Sequence, residues 1–469
     1  MGMTNGPETK QRRMRATQAC AVLFLVALGA SPVVVTGAVT PPAEPVSGQR
    51  SQLPRVRPLP GGIPAAPLLP PVASIPVAPL GFTPPGALYL GQRNSLVTLD
   101  FVDEDRLLFT FRVPGLLRRS ALADQPNRDD QRQIRAVVLR LPSGSIETET
   151  IWTVHDRARY LWMLKDGHFL LRDGDSVEQG NASLDLKPLL HFPGPVEWLE
   201  LDPGERFLVS NSREPVAAAA KPGDVDSPST ASAEVTVDGV DSEARQEAKP
   251  EIVVRILRRE SGQVLLVSRV RSLLHLPINS EGYVEALRTR GIGWTLNLNY
   301  FTGGSRILGQ VDSTCAPQLD FQTEKQILVT ACGLNGERRL VAMSTDGQIV
   351  WQDESPATSV WPVVVRSANG ERLAEETLVS SHAISAYAPM DQGDIRGQAV
   401  RVIDGASGEL LMESPASPAF DVGGNVALSP SGRKLAVLNN GALQVFDLPA
   451  GAASSSPASG QNVHSTIAQ

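Results

Sequence analysis

Residues 315–352 read CAPQLDFQTEKQILVTACGLNGERRLVAMSTDGQIVWQ, and this stretch decides the fold. Apolar runs at 317–321, 326–332, 338–343 and 348–352 alternate with polar turns at 322–325, Asn335-Gly336 and Asp346-Gly347. Asn-Gly marks a type I′ hairpin, because both central residues of that turn need positive φ. Four short strands in fewer than 40 residues make an antiparallel meander.

The first hairpin of this unit recurs along the chain as an apolar strand, a polar turn and a second apolar strand. It reads Leu99-Asp-Phe-Val-Asp-Glu-Asp-Arg-Leu-Leu-Phe-Thr110, then Trp162-Met-Leu-Lys-Asp-Gly-His-Phe-Leu-Leu171. It returns as Trp198-Leu-Glu-Leu-Asp-Pro-Gly-Glu-Arg-Phe-Leu-Val209 and Leu319-Asp-Phe-Gln-Thr-Glu-Lys-Gln-Ile-Leu-Val329. Two more copies are Val363-Val-Val-Arg-Ser-Ala-Asn-Gly-Glu-Arg-Leu373 and Val426-Ala-Leu-Ser-Pro-Ser-Gly-Arg-Lys-Leu-Ala-Val-Leu438. The gap from Leu201 to Phe321 holds a 38-residue insertion and leaves room for one degenerate unit, which Tyr283–Val311 fits. The count is then seven, with six or eight still open, at about 46 residues per unit, within the ~40–50 period of propeller blades.

The expected fold is all-β: a single propeller of seven four-stranded blades. A pair of β-sandwiches would explain the strands but not the period. The last unit shows three strands, at 425–429, 434–438 and 442–447. Ala87-Leu-Tyr-Leu90 is the expected fourth, closing the ring and removing its free edges. Ser429-Pro-Ser-Gly-Arg-Lys-Leu-Ala-Val437 and Val402-Ile-Asp-Gly-Ala-Ser-Gly-Glu-Leu410 resemble the degenerate WD40-like, YVTN-like and quinoprotein-like propeller repeats of exported bacterial proteins. The resemblance spans residues 87–448 and implies fold, not function. No unit carries the Gly-His and Trp-Asp pair of strict WD40 repeats.

Outside the repeats, composition changes. Lys10, Arg12, Arg13 and Arg15 precede the apolar run Ala19–Ala30, the pattern of an export signal. Cleavage after Ala38 and retention as a membrane anchor are both open, and both put the body outside the cytoplasm. Residues 39–86 hold 14 prolines and read as a disordered stalk. Residues 213–250, with eight acids and four bases, and 449–469 read as disordered too. Net charge is −7 overall, and −10 once residues 1–38, which carry +3, are set aside. That balance disfavours nucleic acid, and one apolar segment limits membrane contact to the N-terminus. A monomer is expected.

Long insertions at 114–132, 213–250 and 381–396 each separate the second and third strands of a unit. Labelling strands a to d, b–c and d–a connections share one face, the expected ligand face. Arg118, Arg119, Arg128 and Arg132 lie in the first insertion and could fork a carboxylate or phosphate. His155, His191 and His275 lie in d–a connections, and His382 in a b–c loop. No pair has short metal-ligand spacing, no catalytic motif appears, and neither metal nor cofactor is expected. The expectation is a non-enzymatic, exported or tethered scaffold that binds a protein, peptide or glycan. The alternative is a propeller hydrolase or lactonase with a metal at the channel mouth. Finally, a turn centred between Thr323 and Glu324 pairs residues whose numbers sum to 647, which sets Cys315 opposite Cys332. A disulfide is expected there in an oxidising compartment, with two half-buried thiols as the alternative.

Overall fold

The computed structural model describes residues 69–84, 88–89, 97–113, 132–154, 159–214, 251–334, 336–384, 391–420 and 423–450. The export segment, the stalk up to residue 68 and most of the three insertions lie outside them.

Seven antiparallel sheets follow one another as blades of a propeller. Blade 1 comprises Val97–Asp103, Arg106–Arg112, Arg132–Arg140 and Ser145–Val154. Blade 2 comprises Leu161–Met163, Phe169–Asp173, Ser176–Gly180 and Leu186–His191. Blade 3 is Val196–Leu201, Phe207–Glu214, Glu251–Arg258 and Val264–Val270. Blade 4 has three regular strands, Gly282–Arg288, Gly293–Tyr300 and Ser305–Asp312. Blade 5 is Gln318–Thr323, Gln326–Cys332, Arg338–Ser344 and Ile349–Ser355. Blade 6 is Ser359–Arg366, Arg372–Ser380, Ile395–Asp404 and Leu410–Ala416. Blade 7 is Val426–Leu428, Lys434–Asn439 and Ala442–Asp447, completed by Ala73–Pro76 from the N-terminal side.

The core is not one mass but a cluster at every blade junction. Phe109 and Leu107 of blade 1 pack with Leu438 and Val445 of blade 7. Ile134 and Trp152 of blade 1 pack with Phe169 and Leu171 of blade 2. Like clusters join blades 2 and 3, 3 and 4, 4 and 5, 5 and 6, and 6 and 7. Strand alternation explains this: each sheet buries both faces, one against each neighbour.

Two details differ from the sequence reading. The closing strand is Ala73–Pro76, not Ala87–Leu90. Ala73 pairs with Val445 and Pro76 with Ala442, while Leu88–Tyr89 forms a short parallel pair with Ala419–Phe420. The prolines that suggested a stalk are compatible with this strand, because an outermost strand needs no donor on its free edge. Ile75, Val77, Leu80 and Phe82 are all buried. Phe82 meets Phe109 and Phe111 with ring centroids 5.6 and 5.4 Å apart. Residues 69–84 therefore belong to the propeller.

The second difference is one of register. Leu319 pairs with Val329 and Phe321 with Ile327, one residue away from the expected pairing. The tight turn centres between Glu324 and Lys325, and an irregularity between Phe321 and Thr323 absorbs the offset. Cys315 lies ahead of the paired strand, where Thr314 N–H donates to Cys332 O at 3.0 Å. The disulfide Cys315–Cys332 forms there, with Cα atoms 5.5 Å apart. Closing a loop with this separation of 17 is worth about 3 kcal/mol in the chain-entropy model. Cys315→Ser combined with Cys332→Ser should lower the unfolding free energy by about that amount in urea titrations. Identical midpoints for the two proteins would show that the bridge carries no stability.

Candidate functional site

The innermost strands of a propeller line its axial channel, and alternate residues on them face inward. In blades 1, 3 and 5 the repeated phrase puts an acid between two apolar residues: Leu99-Asp100-Phe101, Leu199-Glu200-Leu201 and Leu319-Asp320-Phe321. The flanking residues Leu99, Phe101, Leu199, Leu319 and Phe321 are buried between blades, so the acids turn the other way, into the channel. Arg159, just ahead of blade 2, and Arg366, ending the first strand of blade 6, join them. Protein encloses Arg159 while leaving it accessible to solvent along the channel, and it feels the charges of Asp100, Arg366 and Asp320. Those three come from blades 1, 6 and 5; blade 1 adjoins blade 2, whereas the neighbouring blades 5 and 6 lie across the ring from blade 2.

Burial pushes Asp100 up to about 7, with Arg159 opposing it. Arg366 reaches across the channel. Its Nη1 donates to Phe321 O of blade 5, and its Nη2 to Leu201 O of blade 3 at 3.4 Å.

Blade 4 shapes the opposite wall. Its regular strands begin only at Gly282, and residues 274–279 occupy the inner-strand position in irregular form. Pro277 has no N–H for a ladder, although its carbonyl accepts from Val284 N at 3.0 Å. Side chains hold the segment instead. Asn211, fully buried on blade 3, accepts from Leu274 N at 2.9 Å and donates to Leu274 O at 3.0 Å. Asn279 Nδ2 donates to Glu324 O at 3.0 Å, and Ser280 N to Glu324 Oε2 at 2.8 Å. Leu276 and Ile278 turn into the junction of blades 3 and 4.

His275 is thereby fixed between the inner strands of blades 3 and 5. Its Nε2 lies 2.7 Å from Leu319 O, its Nδ1 3.0 Å from Glu200 Oε2, and its Nε2 3.5 Å from Asp320 Oδ1. Trp198 meets the imidazole edge-on at 6.0 Å. Burial alone would lower the pKa of His275, but the charges of Glu200 and Asp320 outweigh it and raise it well above 6.5.

Of the other residues singled out in the sequence, the described ones lie elsewhere. Arg118, Arg119, Arg128 and His155 lie outside the described residues. Arg132 opens the third strand of blade 1 and is buried. His191 ends the outer strand of blade 2, exposed, with Ser176 Oγ 3.3 Å from its Nδ1. His382 sits on the b–c connection of blade 6, 3.2 Å from Ser381 Oγ and 3.8 Å from Asp394. Only His275 enters a cluster of three potential metal ligands among the described residues. Asp100, Arg159, Glu200, Asp320 and Arg366 were not anticipated. For the acids a signal was present: the same apolar–acid–apolar triplet recurs at the same phase of three repeats.

No protein-family model matches the chain, and no curated protein matches it. Solved structures do resemble it at low identity. An acylaminoacyl peptidase of Pyrococcus horikoshii is 9% identical, covers 73% of this chain and 48% of its own, and has a TM-score of 0.41. The β-propeller domain of the Trilobed protease from Pyrococcus furiosus is 9% identical, with 76% and 94% covered and a TM-score of 0.40. Kuenenia stuttgartiensis hydrazine synthase is 11% identical, with 78% and 99% covered and a TM-score of 0.40. The chain spans about half the length of the acylaminoacyl peptidases.

Proposed function

We propose that the chain is an exported or membrane-tethered propeller scaffold that binds a protein, peptide or glycan on the rim made by its b–c and d–a connections. The placement of the long connections carries this reading. They join Arg112 to Arg132 in blade 1, Glu214 to Glu251 in blade 3 and Ser380 to Ile395 in blade 6. All three link a second strand to a third, so all leave the ring on the same face. Long connections grouped on one face of a repeat array commonly form its binding surface. The cystine sits on that rim as well, at the start of one inner strand and the end of the next, which suits an oxidising compartment.

The test pairs the intact chain with a variant whose segments 116–129, 216–248 and 385–390 are replaced by short Gly-Ser links. Both are screened against a glycan array and a displayed random-peptide library. The scaffold reading expects ligands enriched by the intact chain and weakened about tenfold or more in the variant, at a melting temperature within a few degrees. No enrichment, or equal enrichment by both proteins, would overturn it.

A further inference from the structure

We propose that Glu200, His275 and Asp320 form a binding site for one divalent transition-metal ion in the wall of the axial channel. The inference does not depend on the rim being the ligand face. One ligand atom from each of the three residues lies within 4.8 Å of the other two, the spacing an ion would draw together. Imidazole plus two carboxylates is a donor set that suits zinc, with bonds of about 2.0–2.2 Å.

Three further features point to an ion rather than to a simple ion pair. The first is Glu200 Oε2. It is closed off from solvent and accepts no well-aligned hydrogen bond, although it lies 3.0 Å from His275 Nδ1 and pairs with it electrostatically. A hydrogen bond needs the oxygen along the ring N–H direction. A metal takes that axial position itself and leaves the neighbouring ligand oxygen to one side.

The second is the ring's other nitrogen. Nε2 lies 2.7 Å from Leu319 O, and a proton on Nε2 donated to that carbonyl leaves the Nδ1 lone pair facing Glu200. Metal-binding histidines are oriented in this way, by a hydrogen bond from the nitrogen that does not ligate.

The third is charge. Among the described residues, His275 is the one basic group within 4 Å of either carboxylate. Arg366 is committed to backbone carbonyls. Arg159 and Arg366 lend the channel positive charge from farther off, and at the site itself a divalent ion on a neutral imidazole balances both carboxylates. Asp320 lies on the Nε2 side of the ring and is about half exposed, so reaching an ion on Nδ1 requires its side chain to turn, while Glu200 is largely buried. The channel side of the site is left for water or a donor atom of a ligand, as in zinc sites with three protein ligands.

The experiment is calorimetric titration of zinc chloride into the metal-stripped full chain, repeated for His275→Ala, Glu200→Gln and Asp320→Asn. His191→Ala is the control, because that exposed histidine also stands beside a carboxylate, Asp175 at 3.7 Å. Cobalt(II) in place of zinc gives a second readout, its visible absorption reporting coordination geometry. One equivalent of zinc should bind the intact chain. Affinity should fall by about 100-fold or more in His275→Ala and at least about tenfold in each isosteric carboxylate variant, with His191→Ala unchanged. Circular dichroism verifies that each variant is folded, and the two isosteric variants keep the test decisive if His275→Ala is not. Absence of stoichiometric binding would overturn the proposal, as would binding that survives all three substitutions. An imidazolium at His275 that persists under excess zinc, seen by ring NMR, would overturn it too.

Discussion

A chain beginning at residue 66 should unfold in urea like the full-length protein, whereas one beginning at residue 85 should fail to form the closed ring. The difference is the segment 69–84. Ile75, Val77, Leu80 and Phe82 are each at most 6% exposed, and all belong to the cluster that joins blade 7 to blade 1. Burying four such side chains at about 1.5–3 kcal/mol each gives about 6–12 kcal/mol, comparable with the whole stability of a typical domain. Their loss also strips the ladder from Ala442–Asp447 and bares a strand edge, so the shorter chain should associate as well as unfold. Size-exclusion chromatography and urea midpoints measure both effects. Within the intact chain, Phe82→Ala should cost about 3–5 kcal/mol, since its ring is packed against Phe109 and Phe111. If the chain beginning at residue 85 is monomeric with an unchanged midpoint, the ring is not closed by this segment.

That segment also shows where sequence reasoning stops. Six blades were legible because they repeat an apolar–turn–apolar phrase, the fourth because the spacing left room for it, and the turn residues Asn440-Gly441 and Asp346-Gly347 force chain reversals. The closing strand was not, because Ala73-Ser-Ile-Pro76 is one short stretch in a proline-rich context, and only the partner Ala442–Asp447 makes it a strand. The cystine was legible although its register was not: the turn centres one residue later than expected, which alone would move each partner by two, and the irregularity near Gln322 takes one back. The strand ends curl enough for the sulfurs still to meet. The channel cluster was hidden for another reason. His275 sits in a segment whose conformation is dictated by hydrogen bonds to groups 63 and 45 residues distant in sequence, the Asn211 side chain on Leu274 and the Glu324 carbonyl that accepts from Asn279. No local pattern encodes such contacts. The three channel acids did repeat in phase, but an acid within an apolar strand reads equally as a solvent-facing residue until the ring fixes what lies opposite.

Replacing Arg401 by Met should destabilise the propeller by about 3–5 kcal/mol near pH 8 and by much less near pH 5. Arg401, on the third strand of blade 6, is directly cross-strand from Glu375 on one side and Glu413 on the other. Its Nη1 donates to Glu375 Oε2 at 2.9 Å and to Asp353 Oδ2 of blade 5 at 2.6 Å. It thus ties the outer strand of one blade to the body of the next. Glu375 is 2% exposed, and burial raises its pKa even with Arg401 opposing that shift. Without the guanidinium, a buried carboxylate would have no cation beside it, and its pKa would rise further. A carboxyl whose folded pKa lies above its unfolded value contributes its full stability below the unfolded value, near 4.5. That stability is lost as pH climbs through the folded value. The deficit of the Arg401 variant must therefore grow with rising pH. Glu375→Gln in the same chain removes the charge and should recover most of the loss at pH 8, so the two substitutions are far from additive. Urea titrations at pH 5 and pH 8 on the four proteins of this cycle give the coupling directly. A deficit equal at both pH values, or a double variant no more stable than Arg401→Met alone, would mean that Arg401 acts through its alkyl packing and not through its charge.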